Sequence, residues 1–537
     1  MIAVSNEWRA MQNQTLLPEM FVEVTYTATE PGLQWDAMVS GNNPESFSDA
    51  SQIVSIEEKN SEKYATLDYG AWGLDGSYSY SDGTPNNPGY VDSNYSTDGG
   101  VMEESSIPTI TISFPERREA VIPGLTITWS EVFGCWATSF RVSAYNSTGL
   151  LAQTTITNNT SIVSEVWLDL VDYTSIVIEV LSWSHPYQRV RCIDIRLGIK
   201  VVYTKTDLLS YSHNQSVDLL SAALPKNEIS FSLRNDDNRW NPDNPTGSEK
   251  YLLEQQELRI RYGMDINGTT EWIKGGTFWL SEWSTPSNGL EATFTARDVT
   301  SLMVATYTGI RTGTLYDVAV AAFEEVDLPI MDNGSKRYVV DDSLKLIETD
   351  FSNNTQEYSI AEVLQMVANA SACVFYQDRN GMVYIKPWEK SYSGYVIDQN
   401  VSYAHPEYTI NKPLKAVSVS YGENLRTSVT VGSNGEVQTV DNPLVVNEKT
   451  ALLVGENTKE ILMNRKVISG DFRTDLLLDA LDNIVVTSKY ASNIIGITDI
   501  SYSTTGGAFK GEYTGRVVSV ELSSSSVYSG ELYVGEY

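Results

Sequence analysis

The chain is poor in the residues that build most catalytic and metal sites. Its 537 residues include only three cysteines and three histidines. Cys135, Cys192 and Cys373 are odd in number and form no Cys-x-x-Cys pair, which excludes a disulfide framework and the common zinc sites. His185, His213 and His405 lie far apart, and two of them precede proline, a turn context. No Gly-x-Ser-x-Gly, His-Glu-x-x-His or phosphate-cradling glycine loop is present, so the commonest hydrolase chemistries have no carrier. No apolar run approaches the ~20 residues of a membrane-spanning helix. A basic start followed by an apolar stretch is also missing, so the expectation is no secretory signal and folding in a cytoplasm. The Asn-x-Ser/Thr triplets, such as Asn146-Ser147-Thr148, then read as turn composition.

Positive charge is scarce too. Lys and Arg total 37 against 69 Asp and Glu, a formal charge of −32. Such a surface repels nucleic acid, and no sequence-specific nucleic-acid binding is expected.

What the chain has in plenty is strand-forming residues: 31 Tyr, 12 Trp and a hydrophobic fraction of 41%, ample for several cores. After a helix-like start, Phe21-Val-Glu-Val-Thr-Tyr26 alternates with period two. From Tyr69 to Ser106 the text turns to Gly, Ser, Asn, Asp and Tyr with almost no aliphatics, which reads as long ordered loops. Ile107 to Tyr203 is a run of short alternating strands separated by turns such as Asn146-Ser-Thr-Gly149, the pattern of a sandwich or jelly roll. Ile229 to Val299 is β-rich again.

Two helices follow with legible starts. Thr314-x-x-Asp317 opens Leu315 to Val326, and Ser359-x-x-Glu362 is a capping box before the apolar stripe Ile360, Val363, Leu364, Val367. A hairpin comes next, Cys373 to Gln377 and Met382 to Lys386, around Asp378-Arg-Asn-Gly381. Lys412 to Tyr537 returns to strands, with a helix-like stretch near Thr450 to Lys466.

The last block echoes the earlier one. Leu252 to Tyr262 resembles Leu477 to Tyr490. Leu280-Ser-Glu-Trp-Ser-Thr285 and Ala292-Thr-Phe-Thr-Ala-Arg297 resemble Ile497-Thr-Asp-Ile-Ser-Tyr-Ser503 and Lys510-Gly-Glu-Tyr-Thr-Gly515. Each pair encloses a Gly-containing turn (Asn288-Gly289; Gly506-Gly507). Any two β-branched hairpins look partly alike; the matched order of leader, strand and hairpin points to a duplicated β-barrel domain.

The segment Ile229-Ser-Phe-Ser-Leu-Arg-Asn-Asp-Asp-Asn-Arg-Trp-Asn-Pro-Asp-Asn-Pro245 resembles one found in tail-tip proteins of phages of Gram-positive bacteria. Ser359-Ile-Ala-Glu-Val-Leu364 leading to Val374–Ile385, and Asn442-Pro-Leu444 followed by a helix and Asp471-Phe-Arg-Thr-Asp475, resemble the same baseplate hub, or tail-associated, family. Residues 67–200 are similar to galactose-binding-like, discoidin-type jelly rolls, through Ala71-Trp-Gly-Leu-Asp-Gly76, Thr109–Phe114, Ser182-Trp-Ser-His-Pro186 and Arg189–Gly198. The resemblance implies a mainly β, multidomain chain with two tube-like β-barrel domains, an inserted β jelly roll and a small α/β domain. Residues 1–66 and 201–305 would form the first barrel, 67–200 the jelly roll, 306–400 the α/β domain and 401–537 the second barrel.

The resemblance further implies a non-enzymatic hub at a virion tail tip, assembled in the bacterial cytoplasm as a homotrimer. Its expected partners are distal tail or tail-tube proteins, the tape-measure protein, tail fibres or receptor-binding proteins, and a host cell-surface glycan; no membrane span is expected. The negative charge then has two readings, solubility or a lumen past which DNA slides without sticking. A carbohydrate-binding adhesin or glycan-processing protein built around the jelly roll stays open as the alternative.

No catalytic residue is assigned. Tyr78, Tyr80, Tyr90 and Tyr95 on the polar loops are glycan-binding candidates, because sugar C–H faces stack on exposed rings. Trp72 beside them reads as core. Asp75, Asp82, Asp92 and Asp98 are candidate Ca²⁺ ligands, the one cofactor considered, since Ca²⁺ takes clustered hard oxygens. Asp236, Asp237 and Asp243 read instead as turn-forming Asx side chains.

Overall fold

The computed structural model describes residues 2, 4–12, 19–34, 36–54, 63–66, 68–71, 73, 75–79, 89–244, 246–286, 289–326, 328, 336–422, 427–433, 437–473, 476–505 and 508–518. Among the sequence expectations, Trp72, Tyr80, Asp82, Asn288 and the turn Gly506-Gly507 lie outside them. The chain is mainly β and multidomain, as its alternating text implies.

Thirteen strands form one continuous sheet. Twelve of them divide into two sets of six. The first set is β1 (Met20–Ala28), β2 (Leu208–Ser216), β3 (Lys226–Arg234), β4 (Glu257–Ile266), β5 (Thr269–Ser284) and β6 (Glu291–Arg297). The second is β7 (Tyr392–Ile397), β8 (Glu407–Ile410), β9 (Lys466–Arg473), β10 (Asn483–Thr487), β11 (Ser492–Thr504) and β12 (Lys510–Val517). Across the sheet the first set runs β2-β3-β6-β5-β4-β1 and the second β8-β9-β12-β11-β10-β7. Each strand therefore has a counterpart six labels on, in both chain order and spatial order. The thirteenth strand, Ile199–Tyr203, covers the outer edge of β1.

Fine geometry repeats as well. The β5–β6 ladder is bulged between Leu280 and Glu282, and the β11–β12 ladder between Ile497 and Asp499. Gln255 and Leu481 both hold positive φ, 65° and 76°. Each donates its N–H to the residue before its bulge, Leu280 O at 2.7 Å and Ile497 O at 2.8 Å. One residue on, the Gln256 side chain accepts from Leu253 N and the Asp482 side chain from Asp479 N, both at 2.9 Å. A bulge bends and twists a strand at a fixed place, so two bulges in matching positions, each fed by a leader of matching conformation, mark one unit built twice. The ladders equate Phe294-Thr-Ala-Arg297 with Tyr513-Thr-Gly-Arg516. That is one residue further along than the sequence comparison set this hairpin arm.

The repeat has one topological difference: β1 runs antiparallel to β4, whereas β7 runs parallel to β10. No strand pairing among the described residues closes either unit into a barrel, and the two tube-like barrels expected from the sequence take the form of two open six-stranded units fused edge to edge. The fusion is β2 against β11, antiparallel, from Tyr211↔Thr504 to Ser216↔Asp499. One hydrophobic cluster spans both units, including Trp8, Phe231, Tyr262, Phe278, Phe472 and Tyr502. Each large side chain so buried contributes roughly 1.5–3 kcal/mol.

Between Ala28 and Ile199 the chain builds a separate two-sheet body. A five-stranded sheet and a four-stranded sheet share one cluster, with Trp129 against Phe140 and Trp183. That cluster takes in Leu33, Ile53 and Val54, upstream of the Leu67 boundary suggested by composition.

The helical block carries α2 (Leu315–Val326) and α3 (Ile360–Ala370), after the short α1 (Asn6–Gln12) at the start of the chain. The Ser359–Glu362 capping box of α3 is present in full. The hairpin Val374–Gln377 and Val383–Lys386 lies beside them. A three-stranded sheet, Ala416–Tyr421 with Thr427–Gly432 and Val437–Asp441, and α4 (Glu448–Met463) add Val417 and Val454 to the same core, with Leu444 from the segment between them. They pack with the helical block although they lie in the chain among strands of the second unit.

Candidate functional site

Two places gather unusual polar chemistry. The first is the joint between the repeated units. His213 on β2 is fully buried. Its Nδ1 lies 2.8 Å from the Tyr262 hydroxyl and its Nε2 2.7 Å from Asn227 Oδ1. All groups are satisfied when Nε2–H donates to Asn227 and Nδ1 accepts from Tyr262, whose oxygen in turn accepts from Tyr211 at 2.8 Å. Burial pushes the His213 pKa down to about 4, keeping the ring neutral. Beside it Gln215 bridges to the leader of the second unit, donating to Asp479 Oδ1 (2.9 Å) and accepting from Ala480 N (3.0 Å).

A side chain from the helical block locks this joint. Arg379 sits in the turn Asp378–Gly381 and is buried. It donates to Asp479 Oδ1 (2.8 Å), Leu476 O (2.8 Å), Leu478 O (2.9 Å) and Lys274 O (3.2 Å). One guanidinium thus ties the hairpin to both repeated units, a task suited to its rigid fork of donors. Sequence reading marked this turn as a hairpin and missed the clamp; a lone arginine in a polar turn carries no pattern that announces burial.

Next to the clamp is a polar cleft of about 300 Å³, lined by Asn227, Asp298, Arg379, Trp388 and Asp482 among others. Burial pushes the Asp298 carboxyl up to about 6, against its hydrogen bonds from Thr300. Asp482 is also raised, again chiefly by burial.

The second place is one rim of the two-sheet body. Asp68 is completely buried and paired with Arg189 and Arg191, the latter at 2.6 Å. The Arg189 guanidinium also reaches Glu45 at 2.8 Å and lies 4.2 Å from the Tyr95 ring centroid. Tyr69 and Tyr187 meet edge to face, with centroids 6.1 Å apart, and Tyr187 N donates to Ser96 O. Tyr69, Tyr95 and Tyr187 are exposed by 72, 44 and 49%. They form an aromatic rim over a buried ion pair.

Of the sequence candidates, Tyr95 belongs to this rim. Tyr78 is half-buried near Phe133 and Lys63. Tyr90 corrects the expectation of an exposed sugar platform, because it is fully buried and donates to Asp92 Oδ2 at 2.6 Å. Asp92 is buried too and accepts from Asn94, so its oxygens serve the fold. Asp75 accepts from its own Ser77 and Asp98 is exposed. Of the expected Ca²⁺ ligands Asp75, Asp82, Asp92 and Asp98, Asp82 lies outside the described residues, and among those described no three acidic, histidine or cysteine side chains are gathered in a metal-holding group. Tyr69 and Tyr187 were missed. A tyrosine in a loop shows its exposure only once the neighbouring strands are placed.

Among the described residues no helix is long and apolar enough to cross a membrane. No family model matches the chain, and no curated protein does either. Solved structures similar to it include a 43 kDa prophage tail protein from Shewanella oneidensis, at 13% identity and a TM-score of 0.41, covering 59% of this chain and 95% of that one. A tail protein from Neisseria meningitidis is similar at 9% identity and 0.42, covering 60% and 94%. A prophage tail protein from Listeria monocytogenes is similar at 11% and 0.40, covering 60% and 91%.

Proposed function

We propose that the chain is a structural tail-tip hub of a phage-like particle, three copies of which form a ring that closes the tail tube and opens to pass DNA. The observation that carries this reading is the duplicated six-stranded unit. Three chains with two equivalent units each present six like elements around an axis, which is what a hexameric tube needs from a trimeric partner. A distal tail or tube protein would contact one end of the ring and the tape-measure protein its lumen. With three copies the charge is three times −32, or −96, a field that keeps a polyanion sliding.

The role is non-enzymatic in this reading. The buried histidine and tyrosines hydrogen-bond one another and Asn227, and the arginine clamp is met by Asp479 and backbone carbonyls, which suits a rigid joint. The two-sheet body is the outward contact module, with Tyr69, Tyr95 and Tyr187 as stacking surfaces for a host glycan or for tail fibres and receptor-binding proteins. A carbohydrate-binding adhesin remains the second reading, favoured by that rim alone.

Light scattering and negative-stain imaging of the purified chain test the proposal. A ring-shaped trimer with a central pore is expected, and a strictly monomeric particle at micromolar concentration would sink it. Adsorption of particles whose Tyr69, Tyr95 and Tyr187 are changed to alanine tests the contact module. Unchanged attachment would remove the receptor role and leave the hub.

A further inference from the structure

We infer that strand β8 and the free edge of β5 are two halves of a joint between copies of this chain, made as β2 and β11 make it inside one copy. The inference rests on the ring reading and gives it a specific contact. Inside the chain β2 lies on the C-terminal half of β11, beyond the point where β10 leaves that edge. The counterpart of β2 is β8, and the counterpart of that half of β11 is the end of β5. Among the described residues β8 pairs only with β9. Among the described residues the segment Glu282–Ser284 likewise pairs only with β6, because β4 leaves β5 at Trp279. Among the described residues the sheet therefore carries one completed joint and, at two other edges, the two unmatched halves of another.

Burial supports the correspondence. In the completed joint His213 and Gln215 are 0 and 8% exposed, and Ile500 and Tyr502 are 2 and 1% exposed. The ladders equate His213 with Tyr408 and Gln215 with Ile410. Tyr408 and Ile410 are 41 and 57% exposed. Trp283 and Thr285, the counterparts of Ile500 and Tyr502, are only half-buried. The long loop after β3 touches them through Glu249 and Trp240 O. Trp283 lies opposite Phe294, which faces the core, so these contacts are made on the sheet's inner face, and among the described residues the backbone of Glu282–Ser284 bonds to β6 alone. An unpaired edge bearing Tyr and Ile is a template for another strand.

The internal register fixes the external one. Ile410 of one copy falls opposite Trp283 of the next, Thr409 opposite Ser284, and Tyr408 opposite Thr285. The two halves differ, so the contact is head to tail: it closes a ring, or grows as a filament if the rotation does not close.

Cysteine cross-linking of the full chain reads this register. Directly opposed residues of antiparallel strands have Cα atoms ~4.5–5.5 Å apart, within disulfide reach. The three native cysteines are buried and do not compete. Thr409→Cys with Ser284→Cys places both thiols on the outer face, and Ile410→Cys with Trp283→Cys is the inner pair. Mild oxidation of either double variant is expected to give covalent multimers ending at the trimer. Mixing the two single variants of a pair should give a heterodimer that neither gives alone. Cross-linking of Thr409→Cys or Ile410→Cys alone would mean that β8 pairs with itself and would overturn the inference. A trimer by light scattering that never cross-links would overturn the joint while leaving the hub reading. A monomer throughout would remove both.

Discussion

Replacing Arg379 by methionine keeps much of its volume and removes its charge and all its donors. Three backbone carbonyls, of Lys274, Leu476 and Leu478, and the Asp479 carboxylate then lose a partner. An orphaned buried acceptor costs about 1–3 kcal/mol, and breaking a buried ion pair about 3–5 kcal/mol. Here the losses are tempered. Asp479 is 29% exposed, Gln215 still donates to it, and the adjoining cleft can admit water. We therefore expect Arg379→Met to destabilise the joined six-stranded units by about 3–5 kcal/mol in total. Arg379→Lys, which supplies one compact charge in place of a fork, should recover about half or less. The assay is urea unfolding with hydrogen exchange resolved at Leu476–Asp479, because a multidomain chain need not unfold in one step. Exchange should accelerate there and in the turn Asp378–Gly381, while the two-sheet body keeps its protection. A methionine variant within about 0.5 kcal/mol of the parent, the range of ordinary surface changes, would refute the clamp.

Two buried groups give opposite pH signatures. The His213 pKa is depressed to about 4, so the unfolded chain takes up its proton first as pH falls from about 6.5, and stability is lost down to about 4. The stability advantage of the parent over His213→Gln should shrink by up to about 3 kcal/mol across that window. Asp298 is raised to about 6, so the folded state is protonated first, and the advantage over Asp298→Asn should widen as pH falls from about 6 to 3.8; parallel profiles in urea titrations would contradict both. Gly124 holds φ +140°, and a Cβ there would sit 1.9 Å from Val166 O. Gly124→Ala should therefore unfold the two-sheet body selectively, seen in calorimetry as a lowered transition for that body with the transition of the thirteen-stranded sheet unmoved. Ser359→Ala removes the cap of α3 and should cost about 1 kcal/mol, measurable by urea titration of the helical block.

Much of the fold was legible in the sequence because it obeys local rules. Alternating residues gave the strands, and Ser359 with Glu362 marked the start of α3. The second half of each repeated unit was legible too, since its hairpin keeps Ser-Glu against Thr-Asp at the bulge. The first half was not. β3 and β9 share little beyond Ile229 with Ile468 and Arg234 with Arg473, and β1 is separated from β2 by the whole two-sheet body. The candidate rim was half legible: Tyr95 was found, but Tyr90 resembles it in text and differs only in facing Asp92 inside the fold. The joint could not be read at all. Nothing in His213 or Arg379 alone shows that distant strands will bury them together.

The point where the two-sheet body leaves the thirteen-stranded sheet has a consequence of its own. Ala28 and Ile199 are directly paired neighbours on adjacent strands, so 170 residues begin and end at one spot. A short turn could span that spot, and so could another domain with closely spaced termini. The thirteen-stranded sheet therefore offers a socket: it can carry different inserted domains by exchange at Thr29–Gly198, with its own pairing undisturbed.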